Sequence, residues 1–225
     1  FSALQTGMLT DRAPIRYIAA IGFLLMATFN VALAFSVSPL ILLLVFFVGG
    51  LGNTLLEISL ASFVLKTADS DRPGLSFGLY IGSSGFAIAT GMFLGGQLLS
   101  GLGYVPVFLG SAALSLIAAG LTTRLRGTTS ASSSIADYAS DLRSPRVLLL
   151  VLGFFLLSTH WGAEMTSLTP FLRDRFGLDE AGTGLFLGTA ILGLGTAGLF
   201  AGAAFDRGVS LRLITVVALL LSGLG

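Results

Sequence analysis

The sequence predicts an all-α polytopic membrane protein, from three observations. Of its 225 residues 54% are hydrophobic, with a mean hydropathy of +0.95, which exceeds what one soluble core of this length hides. Only 10% are charged. The charges gather in clusters, separated by apolar runs of about 20 residues, each long enough to cross about 30 Å of hydrocarbon as a helix.

Seven spans follow in order: 16–36, 39–65, 73–100, 103–123, 146–171, 179–204 and 209–225. Breakers separate the first from the second at Ser36 to Pro39, and the second from the third at Asp69 to Gly74. Gly101 to Gly103 divides the third from the fourth, Arg173 to Asp179 the fifth from the sixth, and Asp206 to Gly208 the sixth from the seventh. Between the fourth and fifth lies the long polar stretch 124–145, RLRGTTSASSSIADYASDLRSP. Its Ser/Thr-rich composition cannot bury itself in lipid and reads as a flexible linker between two bundles, 1–123 and 146–225.

Ten of the 12 Lys and Arg residues fall on one side of this arrangement, namely Arg12, Arg16, Lys66, Arg72, Arg124, Arg126, Arg143, Arg146, Arg207 and Arg212. Arg173 and Arg175 fall on the other, so the first side is expected to be cytoplasmic. The absence of cysteine excludes disulfides and thiolate metal sites, and the lone His160 argues against a histidine-built metal site. Net charge of +1 carries no information about partners, and nothing points to nucleic acid or to a cofactor. No signal peptide is visible and the chain opens on Phe1 in a mid-protein register, so a fragment of a longer chain is expected.

The stretch GMLTDRAPIR, residues 7–16, concentrates Asp11, Arg12 and Arg16 in a chain poor in charge. It has an echo in GAAFDRGVSLR, residues 202–212. Gly7 and Gly202 stand 195 residues apart and each is followed after three residues by Asp-Arg, Asp11-Arg12 and Asp206-Arg207. That spacing spans six helices, as an internal duplication requires.

Here the chain resembles the major facilitator superfamily, whose two six-helix halves can each carry a cytoplasmic Gly-x-x-x-Asp-Arg-x-Gly-Arg-type loop between their second and third helices. Gly7, Asp11, Arg12 and Arg16 match that loop, with Pro14 at its second glycine and Ile15 at its usual arginine. The resemblance covers the whole chain and implies a fragment from the end of the second helix into the ninth, with 124–145 as the central loop. Residues 46–53, FFVGGLGN, align with the family's fourth-helix Arg-x-x-x-Gly-x-Gly stretch, with Phe46 in place of the arginine. Residues 87–96, AIATGMFLGG, keep Gly91, Gly95 and Gly96 of the fifth-helix antiporter motif but carry Ala87 and Met92 where glycine and proline stand in the family.

The repeated loop reads as a lock: its aspartate caps a helix N-terminus or pairs with arginines on one face of a rocking cycle. The plainer alternative is that Asp11 caps the helix starting near Pro14 while Arg12 and Arg16 are positive-inside anchors. Pairs Gly78/Gly82, Gly91/Gly95, Gly184/Gly188 and Gly198/Gly202 are small-x-x-x-small signals for close helix packing.

Chemistry is expected from polar residues at membrane depth. Glu57, with Asn53 one turn away on the same face, is a candidate for carrying a proton or accepting a hydrogen bond from a substrate, or else pairs with an arginine on another helix. His160 and Glu164 share a face at i and i+4, with Trp161 beside them. They read either as a titratable pair with an aromatic platform or as a structural His–Glu hydrogen bond. Asn30, Thr90 and Gln97 are weaker pore-lining candidates, and GLDEAG, residues 177–182, reads as a helix start with acids in its first turn.

The expected function is transport of a small solute by alternating access in the plasma membrane, the inner membrane of a bacterium, coupled to protons, with efflux favoured. The alternatives are uptake of a sugar or organic anion and a non-transporting receptor or scaffold. An enzyme is not expected, since the only candidate set within the bilayer is His160 with Glu164.

Overall fold

Proline sets half of the described helix starts. Pro39, Pro73 and Pro145 stand in the first turn of their helices and Pro14 immediately precedes another, positions where the missing N–H costs nothing and the fixed φ favours helix. A computed structural model describes residues 2–36, 38–68, 71–125 and 144–224. Among these the regular elements are helices: α1 (Ser2–Arg12), α2 (Ile15–Phe35), α3 (Pro39–Thr67), α4 (Pro73–Leu102), α5 (Tyr104–Thr122), α6 (Pro145–Phe176), α7 (Glu180–Asp206) and α8 (Leu211–Leu224). A helix stands at each expected span, with α6 running five residues past 171 to Phe176. Five helices, α2, α3, α4, α5 and α7, are long and apolar enough to cross a membrane. The fold is the all-α membrane bundle the hydropathy predicts. Most of the linker expectation, residues 126–143, lies outside the described residues.

Glycine makes the tight connections. Gly103, at φ +77°, is the single residue between α4 and α5. Gly177, at φ +65°, ends α6, its N–H bonding to the Arg173 carbonyl at 2.9 Å. Two residues on, Asp179 caps α7 by accepting from the Gly182 N–H at 2.7 Å, and Glu180 in the first turn meets Arg173 at 2.9 Å. The acidic helix start at 177–182 is therefore as expected.

In the first bundle α2 packs against α3 and α5, and α1 against α3. The α2/α3 contact closes where glycine admits a neighbour's side chain: a methyl on Gly49 would lie 2.6 Å from the Phe29 ring, and one on Gly22 2.9 Å from Leu56. The most extensive contact in the molecule joins α4 to α7 and, among the described residues, is the only helix contact between segments on either side of the linker. The two helices run antiparallel with backbones nearly touching. Methyl groups would meet the Gly198 carbonyl from Gly78 at 2.9 Å, Gly195 from Gly85 at 2.6 Å, and the Glu180 carbonyl from Gly96 at 2.6 Å. Helices α6 and α8 touch only α7 among the described helices.

Candidate functional site

At one end of the α4/α7 seam the second Gly-x-x-x-Asp-Arg copy meets α4. Gly202 lies so close to the Gly74 carbonyl that no side chain fits between them. Four residues on, on the same face of α7, Asp206 turns its carboxylate onto the start of α4. Oδ1 accepts from the Gly74 N–H at 2.8 Å and Oδ2 from the Leu75 N–H at 2.6 Å. Both donors belong to the first helical turn and have no partner within α4. The carboxylate also lies at the positive end of the α4 dipole. The spacing in the sequence thus has a physical content: glycine brings the backbones together and aspartate, one turn later, caps the neighbouring helix. Arg207 is exposed and ends α7, beside Asp71 and Arg72.

At the first copy the glycine meets no neighbouring helix. A methyl on Gly7 would meet no atom within 4 Å. The Gly7 carbonyl accepts from the Thr10 hydroxyl at 2.7 Å. Arg12 is exposed, and Arg16 reaches the Tyr17 hydroxyl at 3.1 Å with its guanidinium 4.7 Å from the Tyr17 ring centre. The Asp11 side chain lies outside the described residues. Nearby, the Lys66 ammonium at the foot of α3 donates to the Thr10 carbonyl at 3.3 Å, a cation at the C-terminal end of α1. Lys66 and Gly74 entered the sequence reading only as a basic residue and a breaker, and Leu75 not at all, because a lysine at a span end and a Pro-Gly helix start carry no sign of their partners.

Asn53 and Glu57 do come together. The Asn53 Nδ2 donates to Glu57 Oε1 at 2.9 Å, and both residues lie on an exposed face of α3, away from the face that packs through Val45, Gly49, Gly52 and Ser59. Helix α4, which packs against α3, carries Tyr80. Tyr80 was missed in the sequence, where it looks like an ordinary aromatic of an apolar helix. Two of the weaker candidates turn inward to their own helices: Asn30 donates to the Met26 carbonyl and Thr90 to the Phe86 carbonyl, each at 2.8 Å.

On α6, Trp161 is 51% exposed and Glu164 is exposed one turn along. The His160 side chain lies outside the described residues. Of the glycines singled out, Gly96 is in the seam, as are Gly78/Gly82, Gly184/Gly188 and Gly198/Gly202. Gly91 and Gly95 differ: methyl groups on them would meet nothing within 4 Å. They line instead a cavity of about 350 Å³ with Tyr104, Arg173, Glu180 and Gly96, at the end of the seam opposite Asp206. Among the described residues no group of three His, Asp or Glu side chains could hold a metal.

The paired Gly-x-x-x-Asp-Arg loops and the helix order agree with a comparison against known protein families, in which the Major Facilitator Superfamily matches residues 1–225. No curated protein and no solved structure matches the chain. The chain belongs to the Major Facilitator Superfamily, a family of secondary transporters with multi-pass membrane bundles.

Proposed function

We propose that the chain moves a small solute by alternating access between its two half-bundles, 1–123 and 146–225, and that the Asp206 junction holds their shared cytoplasmic end shut. The observation that carries this is the carboxylate of Asp206 reaching across from α7 to the first turn of α4, 132 residues away in sequence. A contact of this kind exists only when the two helix ends are together, so it biases one arrangement over the other. The basic residues at that end support its placement in the cytoplasm of a plasma membrane, the bacterial inner membrane on our reading. Gly7, Asp11, Arg12 and Arg16 form the matching device of the first half, engaged when a helix end comes up against Gly7.

Glu57, supported by Asn53, is the group we assign to substrate or proton coupling, and His160, Trp161 and Glu164 are its counterparts in the second half. An ionisable side chain at that depth is costly to hold against hydrocarbon, about 2.5–3.5 kcal/mol on insertion scales, which favours a face on an aqueous path. We assign proton coupling to this carboxylate, and favour efflux as the direction. The test uses the intact protein in sealed vesicles, with lumenal pH recorded as amphipathic cations, sugars and organic anions are added singly. A pH change on addition of one class, absent for Glu57→Gln, is the expected result. Solute flux with no pH change refutes proton coupling, and absence of flux for every class refutes transport.

A further inference from the structure

We infer that Asn53, Glu57 and Tyr80 form one ligand site shared by α3 and α4, and that its ligand is an organic cation bearing N–H donors, a protonated amine. The inference rests on the transport reading of Glu57 above and deepens it by naming the substrate class.

Placement comes first. Glu57 stands ten residues in from Thr67, the end of α3, a rise of about 15 Å. Tyr80 stands seven residues in from Pro73, the start of α4, a rise of about 10 Å. The two helices touch and are joined by a short connection at that end, so the two side chains fall at neighbouring depths. Facing comes second. The seam to α7 uses Gly74, Gly78, Gly82 and Gly85, and Tyr80, two residues from both Gly78 and Gly82, projects from the opposite side of α4. That places the phenol on the side of α4 away from α7. Phe77, whose ring centre is 5.8 Å from that of Tyr80, packs against the ring.

The charge of the three groups is one-sided. Asn53 spends one N–H on Glu57 Oε1 and keeps a second, and the Tyr80 hydroxyl both donates and accepts, but the charge among them is the Glu57 carboxylate, whose Oε2 stands with the Asn53 carbonyl oxygen and an aromatic face. Acceptors grouped around a carboxylate and a π-face suit an ammonium, by charge-assisted hydrogen bonds and cation–π attraction. The distribution of charge over the helices points the same way. Arg and Lys in this chain lie in the connections or near helix ends, whereas Glu57 and Glu164 are the acids well inside spans. An anionic substrate would find here repulsion and no fixed cation at depth, which disfavours the organic-anion alternative.

The test compares three ligands of nearly one shape, 2-phenylethylammonium, 2-phenylethanol and phenylacetate. Their binding to the intact purified protein is measured by equilibrium dialysis, with size-exclusion profiles confirming that each variant folds. The ammonium is expected to bind best. Glu57→Gln should weaken it by about 10- to 100-fold, the range of one hydrogen bond to a charged group. Tyr80→Phe should weaken it by about 2- to 10-fold, and Glu57→Asp should restore part of the loss. Preference for phenylacetate, equal binding of all three, binding of none, or ammonium binding indifferent to Glu57→Gln overturns the inference. Flux of a neutral or anionic solute through vesicles, with the ammonium neither bound nor moved, overturns the cation assignment and leaves transport standing. Glu57-dependent binding of the ammonium without flux of any solute keeps the site and removes the transport reading.

Discussion

Asp206→Asn removes charge from the junction while nearly conserving shape. The native carboxylate receives the Gly74 N–H at 2.8 Å and the Leu75 N–H at 2.6 Å. The amide keeps one acceptor oxygen and sets an N–H₂ group against the other donor, so one bond is lost and the other becomes neutral. Bonds to a charged group contribute about 1.5–3 kcal/mol and neutral ones about 0.5–1.5 kcal/mol. Asp206 is only partly buried, so water replaces part of the loss, and the lower part of the range applies. A net cost of about 2 kcal/mol falls on the closed arrangement alone, lowering the ratio of closed to open by about thirtyfold. The chain has no cysteine, so Ala203→Cys, half-buried beside Leu75 and Asp206, supplies a single thiol at the junction. Its reaction with a polar maleimide tracks the open fraction and should quicken by up to about thirtyfold in the Asp206→Asn background. An unchanged rate, in protein whose thermal midpoint shows it folded, would refute the idea that this carboxylate holds the two helices together.

Three further predictions concern stability. Gly184→Ala sets a methyl against the Met92 backbone carbonyl and should cost about 1–3 kcal/mol by overpacking, seen as a lower thermal midpoint in detergent. Gly91→Ala, where the space is open, should leave that midpoint unchanged or raise it, since alanine gains about 0.8–1 kcal/mol of helix propensity over glycine; equal losses for the two would show that the seam is misplaced. Asp179→Ala removes the cap on Gly182 N–H and should cost about 1 kcal/mol, reported as faster amide exchange confined to the first turn of α7.

The helices were legible because their boundaries are chemical: Pro39, Pro73 and Pro145 open helices and Gly103 and Gly177 join or end them whatever packs around them. Partner choice was not. Gly78/Gly82 and Gly91/Gly95 have the same spacing in the same helix, yet only the first pair meets α7. The difference is one of face: the seam follows Gly74, Gly78, Gly82, Gly85, Ala89 and Gly96, and Gly91 and Gly95 stand off that stripe. Glu57 announced itself by its cost in lipid, and Asn53 by its position one turn away. Tyr80 could not, because its role depends on which side of α4 faces α3, a matter of tertiary register. The two loop copies were equally legible, and the structure separates them: Gly202 is pressed against α4 and Gly7 faces open space.

That separation bears on how the molecule moves. Helix α4 has 30 residues and touches α7 from Gly74 to Gly96. At 1.5 Å per residue it is about 45 Å long, so a tilt of about 10° pivoting at one end parts the other by about 8 Å. The contacts at the two ends differ in kind. Around Gly96 and Gly184 they are backbone against backbone, and the charged pair at that end, Arg173–Glu180, joins α6 to α7 rather than α7 to α4. At Gly74 the carboxylate of Asp206 holds two helix-terminal N–H groups, which water can satisfy as soon as the ends part. A tilt that keeps the Gly96/Gly184 contact and gives up the Asp206 bonds exchanges protein hydrogen bonds for water, and parts the seam progressively from Gly85 through Gly78 toward the wet end at Gly74. The reverse tilt would break apolar packing and leave the capped end in place. Opening at the Asp206 end is the motion this seam resists least, and a substitution at Gly184 should impair both arrangements, whereas one at Asp206 shifts only the balance between them.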